Sequence, residues 1–173
     1  MHTYTPKMLV LGTCNPRGEG ATYNGLYLRQ AELEDVVATR AMVDVPVKTE
    51  HSGANVGRVV SAFLDGGGAL QCVMEVDEGS VVGSLAGGFV RDQVAAGLSL
   101  GYVVDVQHSQ KGSEKEKRLQ AGTKKVLEVS LVRKGARDGC HITAYQDPGK
   151  AVVYTAAGTT DAAADAWASF SLI

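Results

Sequence analysis

The chain has 173 residues, of which 45% are hydrophobic and 21% are charged, and its formal net charge is -2 at pH 7. This length and apolar content fit a single domain with a hydrophobic core of ordinary size. The slightly acidic balance argues against a nucleic-acid-binding protein that depends on bulk electrostatic attraction. The 21 glycines and 4 prolines predict tight turns and close backbone approaches rather than a collagen-like or disordered chain.

The cysteines and the amino-terminal sequence bear on the cellular compartment. The three cysteines, at positions 14, 72 and 140, are too few and too scattered for a disulfide framework or a zinc site. We therefore expect reduced thiols in an intracellular compartment. The apolar run at residues 8–11 is too short for the core of a signal peptide or for a membrane span. The sequence predicts a soluble intracellular protein with no membrane partner.

The first half of the chain predicts short strands separated by turns. Residues 12–25 form a turn-rich loop, and Asp-Gly-Gly-Gly at residues 65–68 predicts a hairpin turn. Residues 80–96 have apolar side chains near helical spacing and predict a helix that ends at Gly97. The apolar runs predict four strands, at residues 43–47, 56–64, 69–76 and 98–106.

The second half opens with the strongest change of composition in the chain. Residues 107–125 are rich in Lys, Glu, Ser and Gln, and they predict a charged flexible loop within one domain of residues 1–173. Glu114 and Glu116 interrupt the basic residues and argue against a nucleic-acid-binding patch. Three strands and a helix follow, at residues 126–132, 141–145, 151–155 and 159–168. Six or seven strands with one or two helices predict a barrel or curled sheet decorated by helices.

Three segments in fixed order each place one catalytically useful side chain in an apolar, β-prone frame. They are Pro-Val-Lys-Thr-Glu-His at 46–51, Ala-Gly-Leu-Ser-Leu-Gly-Tyr at 96–102 and Leu-Glu-Val-Ser-Leu-Val at 127–132. A serine hydroxyl attacks a carbonyl at neutral pH only if an imidazole takes its proton and a third polar group orients that imidazole. The segments supply all three groups. Taken singly, each residue has a simpler explanation as a surface histidine, a packed hydroxyl or a solvent-facing carboxylate.

Together the segments resemble the capsid-maturation serine proteases, the group that contains herpesvirus assemblins and tailed-phage prohead proteases. In herpesviruses the catalytic histidine closes Pro-Leu-Asn-Ile-Asn/Asp-His, soon followed by Val-Gly-x-Val, as at residues 46–51 and 56–59. The nucleophile lies in Gly-Leu-Ser-Leu-Ser in herpesviruses and in Leu-Ser-Ile-Gly-Tyr in phages, as at residues 97–102. Glu-Val-Ser-Leu-Val at 128–132 follows the phage pattern and departs from the herpesvirus His-Val-Ala-Leu.

This resemblance implies a serine endopeptidase that cleaves scaffold and capsid precursor polypeptides inside an immature viral capsid, in the host nucleus or cytoplasm. Ser99 would be the nucleophile, His51 the general base and Glu128 the group that orients His51. Because the third member differs between the two branches, His141 remains the alternative to Glu128, while His108 lies in a loop too polar to favour. The implied fold is α+β, a mostly antiparallel β-barrel surrounded by a few helices. The resemblance also implies a homodimer, and it implies no cofactor or metal.

The resemblance also implies an oxyanion hole and a self-cleavage site. Gly-Ala-Arg-Asp-Gly at residues 135–139 matches the herpesvirus Gly-Arg-Arg-Arg-Gly. Ala136 would donate its backbone N–H to the oxyanion, and Arg137 would hold a water beside it; an ordinary basic hairpin is the alternative. The Ala-Ser pair at 168–169 resembles junctions that herpesvirus proteases cut, although the alanine-rich segment before it predicts a helix. A catalytically silent β-barrel scaffold or interaction module, and a non-peptidase serine hydrolase such as an esterase, remain as alternatives.

Overall fold

The computed structural model describes residues 5–18, 26–105 and 123–171 as one α+β fold. Within these residues, eight strands pair into one sheet in the order β5-β6-β2-β3-β4-β1-β7-β8, which is antiparallel except where β2 pairs with β6. The strands are β1 (Met8–Asn15), β2 (Pro46–Thr49), β3 (Ser52–Leu64), β4 (Leu70–Val76), β5 (Gly97–Asp105), β6 (Thr123–Val132), β7 (Ile142–Gln146) and β8 (Val153–Tyr154). The helices in the same ranges are α1 (Gln30–Ala38), α2 (Val81–Arg91) and α3 (Asp161–Ser171).

The predicted barrel is wrong, because no continuous ladder between the described strands closes the sheet. Its hydrogen-bonded order runs from β5 at one edge to β8 at the other. The sheet curls far enough for an isolated bridge to form between Gly97, at the start of β5, and His141, just before β7. Beyond this point β7 pairs with β1 and β8, while β5 continues along β6, so the contact does not extend into a ladder.

Strand β1 and helix α1 were not predicted. The turn-forming residues at 12–25 predict a loop, but β1 continues to Asn15. Gly12 does not form a turn. It allows β1 to lie close to the Leu98 side chain, since a Cβ there would be 2.5 Å from that side chain. Helix α1 has one fully buried residue, Leu33, so its sequence carries a weak periodic signal.

Several predicted boundaries also differ from those in the structure. The strand predicted at residues 43–47 begins only at Pro46, and the helix predicted at 80–96 ends at Arg91. Strand β6 begins at Thr123, inside the segment predicted to be a loop. The rest of that segment, residues 107–122, lies outside the described residues, and so does His108.

The hydrophobic core joins the sheet to its helices and fixes the strands that carry the candidate site. Helix α1 contributes Leu33 to the main cluster, and α2 contributes Ala86 and Val90. Helix α3 packs Ala166 and Trp167 on a second cluster with residues of β1, β3, β4 and β7. Burial of this apolar surface, at about 25 cal/mol per Å², is the main force that holds the curled sheet. In the described part of the chain, no helix has the length and apolar character needed to cross a membrane.

Candidate active site

His51 lies in a tight turn between β2 and β3. Thr49 pairs with Ser52, so the loop consists of Glu50 and His51, whose φ angles are 48° and 61°. Two consecutive left-handed residues form the type I′ turn of two-residue hairpins, where Asn and Gly are the usual occupants. A glutamate and a histidine are strained in this conformation, and such strain persists only where surrounding contacts hold it.

Strand β6 and the residue that follows it, Arg133, supply the contacts that hold this turn. The Glu50 N–H donates a hydrogen bond to the Leu131 carbonyl at 3.2 Å, and the Arg133 N–H donates to Glu50 Oε1 at 3.0 Å. The His51 N–H donates to Ser130 Oγ at 2.9 Å. These bonds follow directly from the parallel pairing of β2 with β6, which ends with Thr49 opposite Leu131. The backbone of His51 is therefore fixed relative to β6.

The pairing of β5 with β6 brings the hydroxyl and the carboxylate to the same place. Ser99 lies opposite Ser130, and Gly101 lies opposite Glu128, just before a register shift between Gly101 and Tyr102. A Cβ on Gly101 would lie 2.1 Å from Glu128 Oε1. The glycine therefore leaves the space that the carboxylate occupies.

The three predicted side chains form one chain of hydrogen bonds. His51 Nε2 lies 2.8 Å from Ser99 Oγ, and His51 Nδ1 is hydrogen-bonded to Glu128 Oε1. Glu128 Oε2 accepts a further hydrogen bond from Ser130 Oγ at 2.7 Å. The His51 side chain is 44% exposed, whereas that of Glu128 is 12% exposed. With Glu128 accepting at Nδ1, the proton of a neutral imidazole is held there and Nε2 is free to accept from Ser99.

Ser99 faces a cleft of about 390 Å³. Leu26, Leu100, Tyr102 and Val104 give this cleft a mainly apolar lining. An apolar cleft that converges on one hydroxyl and one imidazole is typical of a substrate site.

The predicted oxyanion-hole residues, Ala136 and Arg137, line the same cleft. Their loop packs closely on the start of β5, since a Cβ on Gly97 would lie 2.4 Å from the Gly135 nitrogen. Arg137 is 5% exposed, and its Nη2 donates a hydrogen bond to the Tyr102 hydroxyl at 2.8 Å. The guanidinium is thus positioned at the cleft wall.

The alternative third member, His141, lies elsewhere. Its side chain lines a separate cavity of about 230 Å³ together with Thr13, Gln71 and Thr143. Glu128, and not His141, is the residue at Nδ1 of His51.

Residues 97–101 read Gly-Leu-Ser-Leu-Gly and so match the pattern Gly-x-Ser-x-Gly. In α/β-hydrolases this pattern marks a sharp turn from a strand into a helix, with the nucleophile at its tip. Here Ser99 lies within strand β5, which runs on to Asp105. The site is therefore not a nucleophile elbow.

The cysteines are poor candidates for the nucleophile. All three are buried and free. Burial raises the pKa of Cys14 well above its usual value and raises the pKa of Cys140 to about 11. Thiols in this state stay protonated at neutral pH and react slowly. Within residues 5–18, 26–105 and 123–171, no group of three His, Cys, Asp or Glu side chains is arranged to hold a metal ion.

Four residues that shape the site were not assigned a role from the sequence: Glu50, Gly101, Tyr102 and Ser130. Of these, Ser130 had a usable signal. Strand alternation puts it on the same face as Glu128, two residues away, and a buried polar side chain on that face needs a partner. The role of Gly101 depends on a cross-strand neighbour and carries no local signal.

The comparisons with known proteins bear on the fold. No protein-family model matches the chain, and no curated protein sequence matches it. The chain is similar to the protease of Kaposi's sarcoma-associated herpesvirus in complex with a hexapeptide phosphonate inhibitor, with 19% identity and a TM-score of 0.52 over 82% of this chain and 66% of that one. A room-temperature structure of this viral protease with an allosteric inhibitor has 16% identity and a TM-score of 0.49 over 96% of this chain and 91% of that one.

The similarity to the inhibitor complex shows a herpesvirus-protease-like fold. The matched region is slightly less than two thirds of the viral protease. The chain is therefore an α+β domain with the fold of a herpesvirus protease, in which a serine, a histidine and a glutamate meet at one cleft.

Proposed function

We propose that this chain is a serine endopeptidase of the capsid-maturation type, with Ser99 as nucleophile, His51 as general base and Glu128 as the residue that orients His51. The observation that carries the proposal is the hydrogen-bonded chain from Ser99 through His51 to Glu128, which opens on an apolar cleft. The similar fold of the herpesvirus protease supports it.

The chemistry follows from the hydrogen bonds. His51 Nε2 takes the Ser99 proton as Oγ bonds to the scissile carbonyl carbon, and the carbonyl electron pair moves to oxygen. The oxyanion then collapses, the C–N bond breaks, and Nε2 returns its proton to the leaving amine. A water deprotonated by Nε2 hydrolyses the acyl-enzyme and restores the Ser99 hydroxyl. Glu128 keeps Nδ1–H in place and stabilises the imidazolium formed in each step.

Ala136 and Arg137 are proposed to serve the oxyanion. Both line the cleft that holds Ser99, which supports this role. A backbone N–H directed at the developing negative charge contributes about 3 to 4 kcal/mol of transition-state stabilisation. The buried guanidinium of Arg137, held by Tyr102, would keep a bound water beside that charge.

The proposed substrate is an extended polypeptide rather than a small ester. Strand β5 is at the edge of the sheet and pairs along its length with β6. An edge strand beside a cleft can accept a peptide as an added strand, with main-chain hydrogen bonds that position the scissile bond. Following the motif resemblance, the substrates are scaffold and capsid precursor polypeptides inside an immature viral capsid, and the enzyme is a homodimer. A glutamate as the third member supports an assignment of the chain to the phage prohead branch.

Self-cleavage between Ala168 and Ser169 would require a conformational change. This junction lies in α3, and the preceding Ala166 and Trp167 are buried. Because a protease binds an extended chain, the end of α3 must unwind before the bond is cut. We expect this cleavage to be slow compared with that of a scaffold. A carboxy-terminal tag lost from the wild type and kept on Ser99→Ala, with a new end at Ala168, would support it; a tag that stays while scaffold is cut would retire it.

Incubation with the cognate scaffold protein tests the proposal. Wild type is expected to produce new scaffold termini in mass spectrometry, and Ser99→Ala is expected to produce none. Scaffold left intact by a wild type that hydrolyses acyl esters would favour an esterase. Scaffold and ester both left intact would favour the catalytically silent module.

A further inference from the structure

We propose that Ser130 is a positioning residue that fixes both the turn of His51 and the carboxylate of Glu128. The inference rests on the proposed function of the site. The Ser130 side chain joins two hydrogen bonds, one accepted from the His51 N–H at 2.9 Å and one donated to Glu128 Oε2 at 2.7 Å. Glu128 Oε1 is in turn hydrogen-bonded to Nδ1 of His51. The three residues therefore form a closed ring that begins and ends on the histidine.

The ring determines where each proton lies. A backbone amide can only donate, so the His51 N–H occupies an acceptor position of the Ser130 hydroxyl. The hydroxyl then uses its proton toward Glu128 Oε2, which must accept it. With Oε2 occupied in this way, Oε1 is the oxygen that faces Nδ1, and a carboxylate there accepts the Nδ1 proton. Ser130 thus favours the imidazole tautomer whose Nε2 accepts from Ser99.

The ring also holds a strained backbone. His51 has φ of 61°, a conformation that costs a non-glycine residue free energy unless its surroundings enforce it. Ser130 is 0% exposed, so water does not compete for its hydroxyl. Removal of this hydroxyl leaves the His51 N–H and one carboxylate oxygen without the partner that joins them, and both the turn and the carboxylate gain freedom.

Ser130→Ala tests the inference, with Thr143→Val as the matched control. Thr143 also has a buried hydroxyl bonded across strands, to the Leu11 carbonyl at 3.2 Å, but it lies outside the cleft of Ser99. We expect Ser130→Ala to lower kcat on a scaffold peptide on the order of 10- to 100-fold with KM within about 2-fold, because misplaced groups slow the chemical step. Thr143→Val should have the same kcat as the wild type. Ser130→Cys, with its weaker donor, should fall between Ser130→Ala and wild type.

A double-mutant cycle separates positioning from general destabilisation. In a Glu128→Ala background, Ser130→Ala should lower kcat by a smaller factor than it does alone, because the carboxylate that it orients is gone and only its contact with the His51 turn remains. An equal loss of kcat in both backgrounds would show that Ser130 acts independently of Glu128 and would overturn the inference. So would a kcat of Ser130→Ala equal to that of Thr143→Val.

A nuclear magnetic resonance measurement distinguishes this inference from the proposed function. The chain has four histidines, and 15N-histidine labelling with His51→Gln assigns the Nδ1–H resonance of His51. We expect a downfield proton in wild type and in Thr143→Val, and its displacement or loss in Ser130→Ala. If this pattern appears in a protein that cleaves no peptide, the positioning role holds and the proposed activity fails. A resonance absent from wild type, or unmoved in Ser130→Ala, contradicts the inference.

Discussion

Strand β6 takes part in two carboxylate clusters, one near its start and one in its second half. Near the start, Lys124 Nζ donates to both oxygens of Glu32, at 2.9 and 3.1 Å, and the lysine side chain is 3% exposed. In the second half, Glu128 accepts from His51 and Ser130. Glu32 and Glu128 are similarly shielded, at 16% and 12% exposure.

The two clusters differ in the groups to which hydrogen bonds connect the carboxylate. The carboxylate of Glu32 ties α1 to β6 through a buried ammonium group. The chain of hydrogen bonds from Glu128 continues through a half-exposed imidazole to the Ser99 hydroxyl in a cleft. Burial of a carboxylate therefore does not identify a reactive site. A chain of hydrogen bonds that ends on a serine hydroxyl beside a cavity is what makes the second cluster the candidate active site.

The largest effect expected from breaking the second cluster is that of Ser99→Ala. Only one oxygen is removed, so the melting temperature should stay close to that of wild type. Peptide cleavage should fall on the order of 10⁶-fold, because the nucleophile is lost. Progress curves with a fluorogenic scaffold peptide, together with thermal melts, measure both quantities. Residual cleavage above about one hundredth of the wild-type rate would point to a different nucleophile.

Glu128→Gln should have the next largest effect. The amide keeps the size of the side chain but loses the charge that orients and stabilises the imidazolium. We expect kcat to fall on the order of 10⁴-fold, with weak activity remaining. The corresponding change in the first cluster, Glu32→Gln, should leave kcat unchanged. Equal losses in the two variants would remove the distinction between the clusters.

Gly101→Ala should disturb the second cluster indirectly. The new Cβ would lie 2.1 Å from Glu128 Oε1, so the carboxylate must move away from His51. A displacement of this kind should lower kcat on the order of 10²-fold. Gly66→Ala is the control, because a Cβ there has nothing within 4 Å. Steady-state kinetics on both variants would test this. A Gly101→Ala variant with the kcat of wild type would show that the Glu128 carboxylate can shift without loss of activity.

Breaking the first cluster should change stability alone. Burial by itself raises the pKa of Glu32, but hydrogen bonds from Lys124 and Arg29 outweigh it, so the pKa is lowered from 4.5. A lowered pKa stabilises the fold above pH 4.5 and loses that effect as the pH falls through the folded-state value. Glu32→Gln should therefore lower the free energy of unfolding by about 1.5 to 3 kcal/mol at neutral pH. Urea melts should show the difference shrinking in acid; a constant difference would exclude the ionised pair as its source.

The sequence predicts much of the site but little of what holds it. Ser99, His51 and Glu128 each lie in a recognisable segment, and strand alternation predicts that Ser130 shares the face of Glu128. The turn of His51 has no local signal, because Glu50 and His51 are atypical residues for a type I′ hairpin. Contacts with β6, about 80 residues further along the chain, enforce it.

The fold shows the same division between local and long-range information. Strands β4 and β5 were predicted to within one residue of their ends, whereas β3 begins four residues before the predicted strand. The assignment of residues 123–125 to a loop was wrong because their charge suggested solvent, whereas Lys124 is buried against Glu32. Closure of the sheet was also predicted wrongly. It depends on how far two edges approach, which local pattern does not specify.

Labelling with a peptidyl phosphonate tests the central claim most directly, because it reports on an activated serine without requiring the natural substrate. Intact-mass and peptide-mapping spectrometry should find one adduct, on Ser99, in the wild type. The same treatment should leave Ser99→Ala and His51→Ala unmodified, since one lacks the nucleophile and the other lacks its base. A wild type that forms no adduct, or a His51→Ala variant that is labelled as fast as the wild type, would contradict the assignment of Ser99 and His51 as a catalytic pair.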